Sequence, residues 1–170
     1  MNLEKIKAGI DIPNNLNVII EIPQGTFPVK YEFDKDSCAL FVDRYIQTPM
    51  YYPAHYGFIP HTQADDGDPV DVLVVDPYPL LPGVIVQITP IGMLVMEDEK
   101  GMDEKIIAVP HKSLNPFYKV EHYEDLPEGI CKQIEHFFTH YKDLEKNKWV
   151  KISHWSGPEE TKQLIQKHVL

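Results

Sequence analysis

Residues 66–71, Asp66-Gly67-Asp68-Pro69-Val70-Asp71, carry three carboxylates and lead directly into the apolar run Val72-Leu73-Val74-Val75. Gly67 gives the backbone room to turn tightly. Pro69 fixes one φ angle and removes a backbone donor. Three anions on so short and stiff a loop repel one another. A bound divalent cation removes that repulsion, and hard oxygen ligands favour Mg²⁺, Mn²⁺ or Ca²⁺ over zinc. Taken alone, the same six residues also read as a solvated acidic turn between two strands.

The rest of the chain reads as a series of short strands followed by helices. Residues 1–13 suggest a short helix or irregular arm, closed by Pro13 and Asn14-Asn15. Asn17-Val18-Ile19-Ile20-Glu21-Ile22 is β-branched and stops at Pro23. Val29-Lys30-Tyr31-Glu32-Phe33 alternates, with Lys30 and Glu32 opposite Tyr31 and Phe33. A turn at residues 34–37 leads to Ala39-Leu40-Phe41-Val42-Asp43-Arg44. These three strands suggest a meander. Residues 45–65 are too broken for a helix and too aromatic for a free linker, with Tyr45, Tyr51, Tyr52, His55, Tyr56 and His61 among Pro49, Pro53, Gly57 and Pro60.

Further strands are expected at 72–75, 84–88, 93–96 and 106–109. The acidic stretch 97–105 reads as a solvated hairpin turn. Asp125-Leu126-Pro127-Glu128 looks like a helix start of capping-box type. Ile130, Ile134, Phe137 or Phe138, and Tyr141 follow at helical spacing. Trp149-Val150-Lys151-Ile152 suggests an edge strand, and Ser156-Gly157-Pro158-Glu159 opens a last helix reaching about residue 168. The fold class is mainly β with α+β character from its C-terminal helices.

At 170 residues and 43% hydrophobic, the chain suits one domain, 1–170, with a real core. The net charge of −10 argues against sequence-independent nucleic-acid binding, which needs a basic face. Cys38 and Cys131 share no CxxC spacing and are too few for a disulfide framework. The opening Met1-Asn2-Leu3-Glu4-Lys5-Ile6-Lys7 has no apolar signal core, and no run approaches ~18 apolar residues. A cytoplasmic protein with no membrane partner is expected.

The glycine spacings of GxxxxGK[ST] and GxGxxG are missing, and the acidic loop fails as an EF-hand because Asp71 stands where glycine is needed. His136 and His140 lack the Glu of HExxH. What remains is a set of carboxylates beside a set of cations and phenols. Lys30, Arg44, Lys105, Tyr52, Tyr56, Tyr141 and Lys142 suit phosphate oxygens. Together the two sets suit a phosphate substrate bridged to several metals.

Six stretches then resemble one family closely. They are Val18-Ile19-Ile20-Glu21-Ile22-Pro23, Lys30-Tyr31-Glu32, Leu40-Phe41-Val42-Asp43-Arg44, Tyr52-Pro53-Ala54-His55-Tyr56-Gly57, the acidic loop, and His136-Phe137-Phe138-Thr139-His140-Tyr141-Lys142. The chain resembles the soluble family I inorganic pyrophosphatases of the short bacterial type, whose D-G-D-P-[hydrophobic]-D signature it matches without substitution. The resemblance runs from about residue 10 to residue 155, so the last fifteen residues add little.

The resemblance implies a small closed OB-like β-barrel with helices packed outside, and hydrolysis of pyrophosphate to two orthophosphates by a metal-activated water. It implies that Asp66, Asp71 and Asp103 hold a first metal, with Asp71 bridging to a second. Asp98, Asp103 and Glu32 would hold metals arriving with substrate. Lys30, Arg44, Tyr56, Lys105, Tyr141 and Lys142 would bind phosphate oxygens, with Glu21 and Tyr52 supporting. Asp68 would be the general base. Several Mg²⁺ ions are the expected cofactors, with Mn²⁺ or Zn²⁺ as substitutes and Ca²⁺ as an inhibitor. A homohexamer is expected, with His136, His140 and Asp143 on the helix between subunits. Two other functions remain open: a single-strand nucleic-acid module stacking bases on Tyr51, Tyr52 and Tyr56, and a Mg²⁺-dependent hydrolase of nucleoside di- or triphosphates.

Overall fold

The apolar run behind the acidic loop is buried on both sides. Val72 and Val74 pack with Val18, Ile20, Val86 and Ile106, while Leu73 and Val75 pack with Ile22, Leu94, Ile107 and Phe137. A strand covered on both faces needs no polar alternation, which is why this run reads as continuous. The computed structural model describes residues 3–170.

The strands, in chain order, are β1 (Gly9–Asp11), β2 (Asn15–Ile22), β3 (Val29–Asp34), β4 (Ala39–Tyr45), β5 (His55–Phe58), β6 (Asp71–Val74), β7 (Ile85–Asp98), β8 (Gly101–Pro110) and β9 (Val150–Ser156). The helices are α1 (Glu128–His140) and α2 (Pro158–His168). β2 pairs with β5, β5 with β6, β6 with β8, β8 with β7, and β7 returns to β2. Five strands thus close a ring, the OB-like arrangement expected. Only the β6–β8 contact in this ring is parallel, so Asp71 at the head of β6 stands close to Lys105 on β8. Helix α1 buries Ile134, Phe137 and Phe138 against one set of strand side chains, and Ile165 of α2 packs with the other.

Local chemistry explains the joints. Gly57 on β5 lies opposite Ile20 on β2, and a Cβ there would sit 2.0 Å from the Ile19 carbonyl oxygen. Only glycine allows that close approach. At Gly92 a Cβ would meet the Tyr123 ring at 2.7 Å, and the β7–β8 register shifts between Pro90 and Gly92. That bulge lets β7 run on as one strand through a proline.

Four expectations are corrected. Of the arm expected over residues 1–13, positions 1 and 2 lie outside the described residues. The remainder is a 3-10 turn, Leu3–Lys5, followed by β1. The meander does not form, because β2 belongs to the ring while β3 and β4 pair only with each other. The strands expected at 84–88 and 93–96 are one strand, β7. Asp125 caps the 3-10 turn Tyr123–Asp125, reciprocally with His122, and α1 begins after Pro127 without a side-chain cap.

Candidate active site

The β3–β4 hairpin is tied to the ring by Glu21 of β2, whose Oε1 accepts the Phe33 N–H at 2.6 Å, and by Phe33 against Phe58. A cleft of about 830 Å³ is lined by Glu21, Lys30, Glu32, Arg44, Tyr56, Asp68 and Asp71, among others. A second hollow, about 520 Å³ beside α1, is lined by Met50, Tyr51, Tyr52 and Phe137 and contains no carboxylate. The polar chemistry therefore concentrates in the first.

Two buried lysines stand close to the cleft, one of them against its lining residue Asp71. Lys105 is 5% exposed and its Nζ stands 2.5 Å from Asp71 and 2.6 Å from Asp103, 5.7 Å above the Tyr56 ring. Burial by itself lowers the pKa of the ammonium, but the two carboxylates outweigh it and hold it well above the ordinary value. Burial raises the Asp103 carboxyl even though Lys105 opposes it. Lys142, following α1, lies 2.7 Å from Asp98 and 3.6 Å from Glu99. Asp98 is pushed up by burial, yet the Lys142 ammonium and the Lys100 N–H prevail and keep it below the usual carboxylate range. Burial also raises the phenols of Tyr52, Tyr56 and Tyr141, so all three keep their protons.

On the hairpin, Lys30 faces Arg44 across the strand pair. Lys30 reaches Glu32 at 3.2 Å and Asp43 at 2.9 Å, and Arg44 reaches Asp43 at 3.2 Å. The Arg44 Nε is buried without a hydrogen bond, with Glu145 Oε1 at 3.6 Å. That separation is an ion pair without hydrogen-bond geometry, so Glu145 leaves the planar fork of Arg44 incompletely satisfied.

Most of the residues expected at the site converge. Glu21, Lys30, Glu32, Arg44, Tyr56, Asp68 and Asp71 line the cleft, and Asp103 and Lys105 join it through Asp71. Asp98, Lys142 and Tyr141 sit beside this group, close enough for Lys105 to act on Asp98 and Tyr141 electrostatically. Tyr52 packs between Tyr56 and Phe137. Asp66 is apart from the lining. Its Oδ1 accepts the Asp68 N–H at 3.0 Å, which stiffens the loop. Sequence reasoning missed Asp43, Glu99 and Glu145, the carboxylates that hold Lys30, Arg44 and Lys142. Adjacency to Arg44 was the one available signal for Asp43.

The comparisons with known proteins agree on one family. The family model described as inorganic pyrophosphatase matches residues 18–170. An inorganic pyrophosphatase of Caulobacter vibrioides is 59% identical over 98% of this chain and 94% of its own length. This chain belongs to the inorganic pyrophosphatase family. Among solved structures, an inorganic pyrophosphatase of Thermus thermophilus superposes with a TM-score of 0.91 at 42% identity, covering 98% of this chain and 95% of its own. One from Coxiella burnetii gives 0.93 at 44% identity, covering 96% and 98%. The match to the pyrophosphatase model includes every residue of the cleft described above.

Pyrophosphatases of this family depend on a divalent metal, and the donor set here fits one. Among the described residues no three His, Cys, Asp or Glu side chains are gathered closely enough to hold an ion. Ammonium groups stand between the carboxylates instead. Yet Asp71 and Asp103 share a single buried ammonium, and every cleft carboxylate offers oxygen, the donor that hard cations prefer.

Glu21, on the wall of the same cleft, is a buried carboxyl. Burial, opposed by the Phe33 N–H, pushes its carboxyl up to about 7 from 4.5. The folded state then binds that proton more tightly than the unfolded state. In metal-free buffer stability is therefore intact below the unfolded pKa and is lost as pH rises towards the folded one. Glu21→Gln keeps the acceptor for Phe33 and removes the titration. We expect urea unfolding in EDTA to show a parent that loses up to about 3 kcal/mol between about pH 4.5 and pH 7, and a variant that does not. Equal pH dependence in the two proteins would contradict this origin.

Proposed function

We propose that this chain is a single-domain enzyme that hydrolyses inorganic pyrophosphate to two orthophosphates with Mg²⁺ as its cofactor. One observation carries the reading: Asp68 and Asp71 line the same cleft as Lys30 and Arg44, so oxygen donors for a hard cation and donors for phosphate oxygens share one volume. Asp66, Asp71, Asp98, Asp103 and Glu32 would hold the ions. Bound Mg²⁺ supplies charge neutralisation and acidifies the attacking water.

The chain's own residues do the remaining work. Lys30, Arg44, Lys105 and Lys142 donate to phosphate oxygens and offset charge as the leaving phosphate departs. Tyr56 and Tyr141, which keep their protons, donate to the same oxygens. Asp68 takes the proton of the attacking water as its oxygen bonds to phosphorus and the bridging P–O bond breaks. Glu21 and Tyr52 support the floor of the cleft. Mn²⁺ and Zn²⁺ are candidate substitutes, and Ca²⁺ is a candidate inhibitor.

The test is phosphate release from pyrophosphate. EDTA should abolish it and Mg²⁺ should restore it. Full turnover in metal-free buffer would overturn the metal reading.

We also propose a cytoplasmic homohexamer. No helix among the described residues is long and apolar enough to cross a membrane. His136 and His140 stand 4.7 Å apart by ring centroids on the outer face of α1, and His140 bonds to Asp143 at 2.8 Å. Light scattering with Mg²⁺ at neutral pH should give six chains, and a monomer would contradict the assembly.

A further inference from the structure

The acidic loop is held at its neck by residues far away in the sequence. Thr62 is 5% exposed. Its Oγ1 donates to the Ile59 carbonyl at 2.6 Å and accepts the Val70 N–H at 2.9 Å. The Val70 carbonyl in turn accepts the Ile59 N–H at 3.0 Å. Val70 is therefore fixed at both backbone groups immediately before Asp71.

The strand-like segment that follows α2 clamps the other side. Thr62 bridges to Val169. The Gln63 N–H donates to the His168 carbonyl at 2.9 Å, the Leu170 N–H donates to the His61 carbonyl at 3.0 Å, and His168 Nδ1 donates to the Gln63 carbonyl at 2.7 Å. Lys167 meets Asp65 at 3.2 Å, an exposed pair of little energetic weight. Within the loop, Ala64 donates to the Asp68 carbonyl at 2.7 Å and Gly67 to the Ala64 carbonyl at 3.0 Å. Both of these backbone bonds of the loop involve residue 64, directly after the clamped residues 61–63.

We infer that Thr62 and His168 are positioning residues that set the carboxylates of residues 66–71 for metal binding. The segment expected to add little is then part of the site's support. This inference rests on the proposed metal role of Asp66 and Asp71. Groups that orient metal ligands from outside the coordination sphere are worth roughly 10–100-fold in affinity or activity when removed.

Thr62→Val keeps the shape but strips the donor and the acceptor. His168→Ala removes the imidazole N–H, and His168→Asn returns an N–H near the place of Nδ1. We expect calorimetric Mg²⁺ binding, corrected for folded fraction, to weaken roughly 10-fold or more in Thr62→Val and His168→Ala. Thr62→Ser and His168→Asn should recover most of it. In the metal-free protein, hydrogen exchange at the amides of Ala64, Asp68 and Val70 should speed up in the two disruptive variants. Variants that lose thermal stability yet bind Mg²⁺ and protect those amides as the parent does would overturn the inference and leave the metal reading standing. A parent that binds no Mg²⁺ would overturn both.

Discussion

Asp68→Asn should turn over pyrophosphate roughly 10²–10⁴-fold more slowly than the parent, and added Mg²⁺ should not recover the loss. The loop makes this a clean experiment. The Asp68 N–H is held by Asp66 and its carbonyl by Ala64, so the backbone stays in place when the carboxylate is replaced. Asp68 lines the cleft with its side chain exposed, whereas Asp71 is bound at 2.5 Å to a buried lysine. The two aspartates therefore have different surroundings, and the account gives them different chemistry. Losing a ligand at Asp71 weakens metal binding, so excess Mg²⁺ restores part of the rate. Losing a base at Asp68 leaves metal affinity largely intact. Raising the pH should help Asp68→Asn more than the parent, by supplying hydroxide directly. If Asp68→Asn loses Mg²⁺ affinity as badly as Asp71→Asn and excess Mg²⁺ rescues it, Asp68 is a ligand and not the base.

Lys105→Met should be the most destabilising single change in the cleft in the absence of metal. The ammonium is buried between Asp71 and Asp103, whose side chains are 27% and 19% exposed. Methionine fills a similar volume, so packing is nearly conserved while two carboxylates lose their shared partner. Removing one member of a buried ionic cluster costs about 3–5 kcal/mol because the remaining charge is uncompensated. We expect that loss in urea unfolding with EDTA. Mg²⁺ should return more stability to the variant than to the parent, since a bound cation replaces the missing charge and stabilises only the folded state. Unchanged stability in EDTA would mean that Asp71 and Asp103 do not depend on Lys105.

The sequence made the local elements legible and hid the long-range ones. Alternation in residues 29–33 and the doubly buried run 72–75 each reveal a strand, because burial on one or two faces writes itself into the pattern. Strand β5 is four residues among prolines and glycine, and all four are buried, so no alternation marks it. The continuity of β7 was masked by Pro90, which a strand tolerates only at a bulge. Pairing of β2 with β7 closes the ring, and nothing local to residues 16–19 specifies partners at 85–88. The meander failed for that reason.

At the candidate site, Asp71 and the lysines were singled out by residue type and resemblance. That Lys105 sits between Asp71 and Asp103 depends on the parallel β6–β8 register, which no local pattern records. Glu99 and Glu145 stayed hidden because a solvated turn and a salt-bridged turn have the same composition. The clamp on residues 61–63 was invisible because its partners lie about a hundred residues away in the sequence, at 168–170.

The most direct test compares phosphate release by the purified chain from pyrophosphate and from ATP, with Mg²⁺ present. The proposed function predicts rapid release from pyrophosphate and far slower release from ATP. Equal or faster release from ATP, or no release from pyrophosphate, would contradict it.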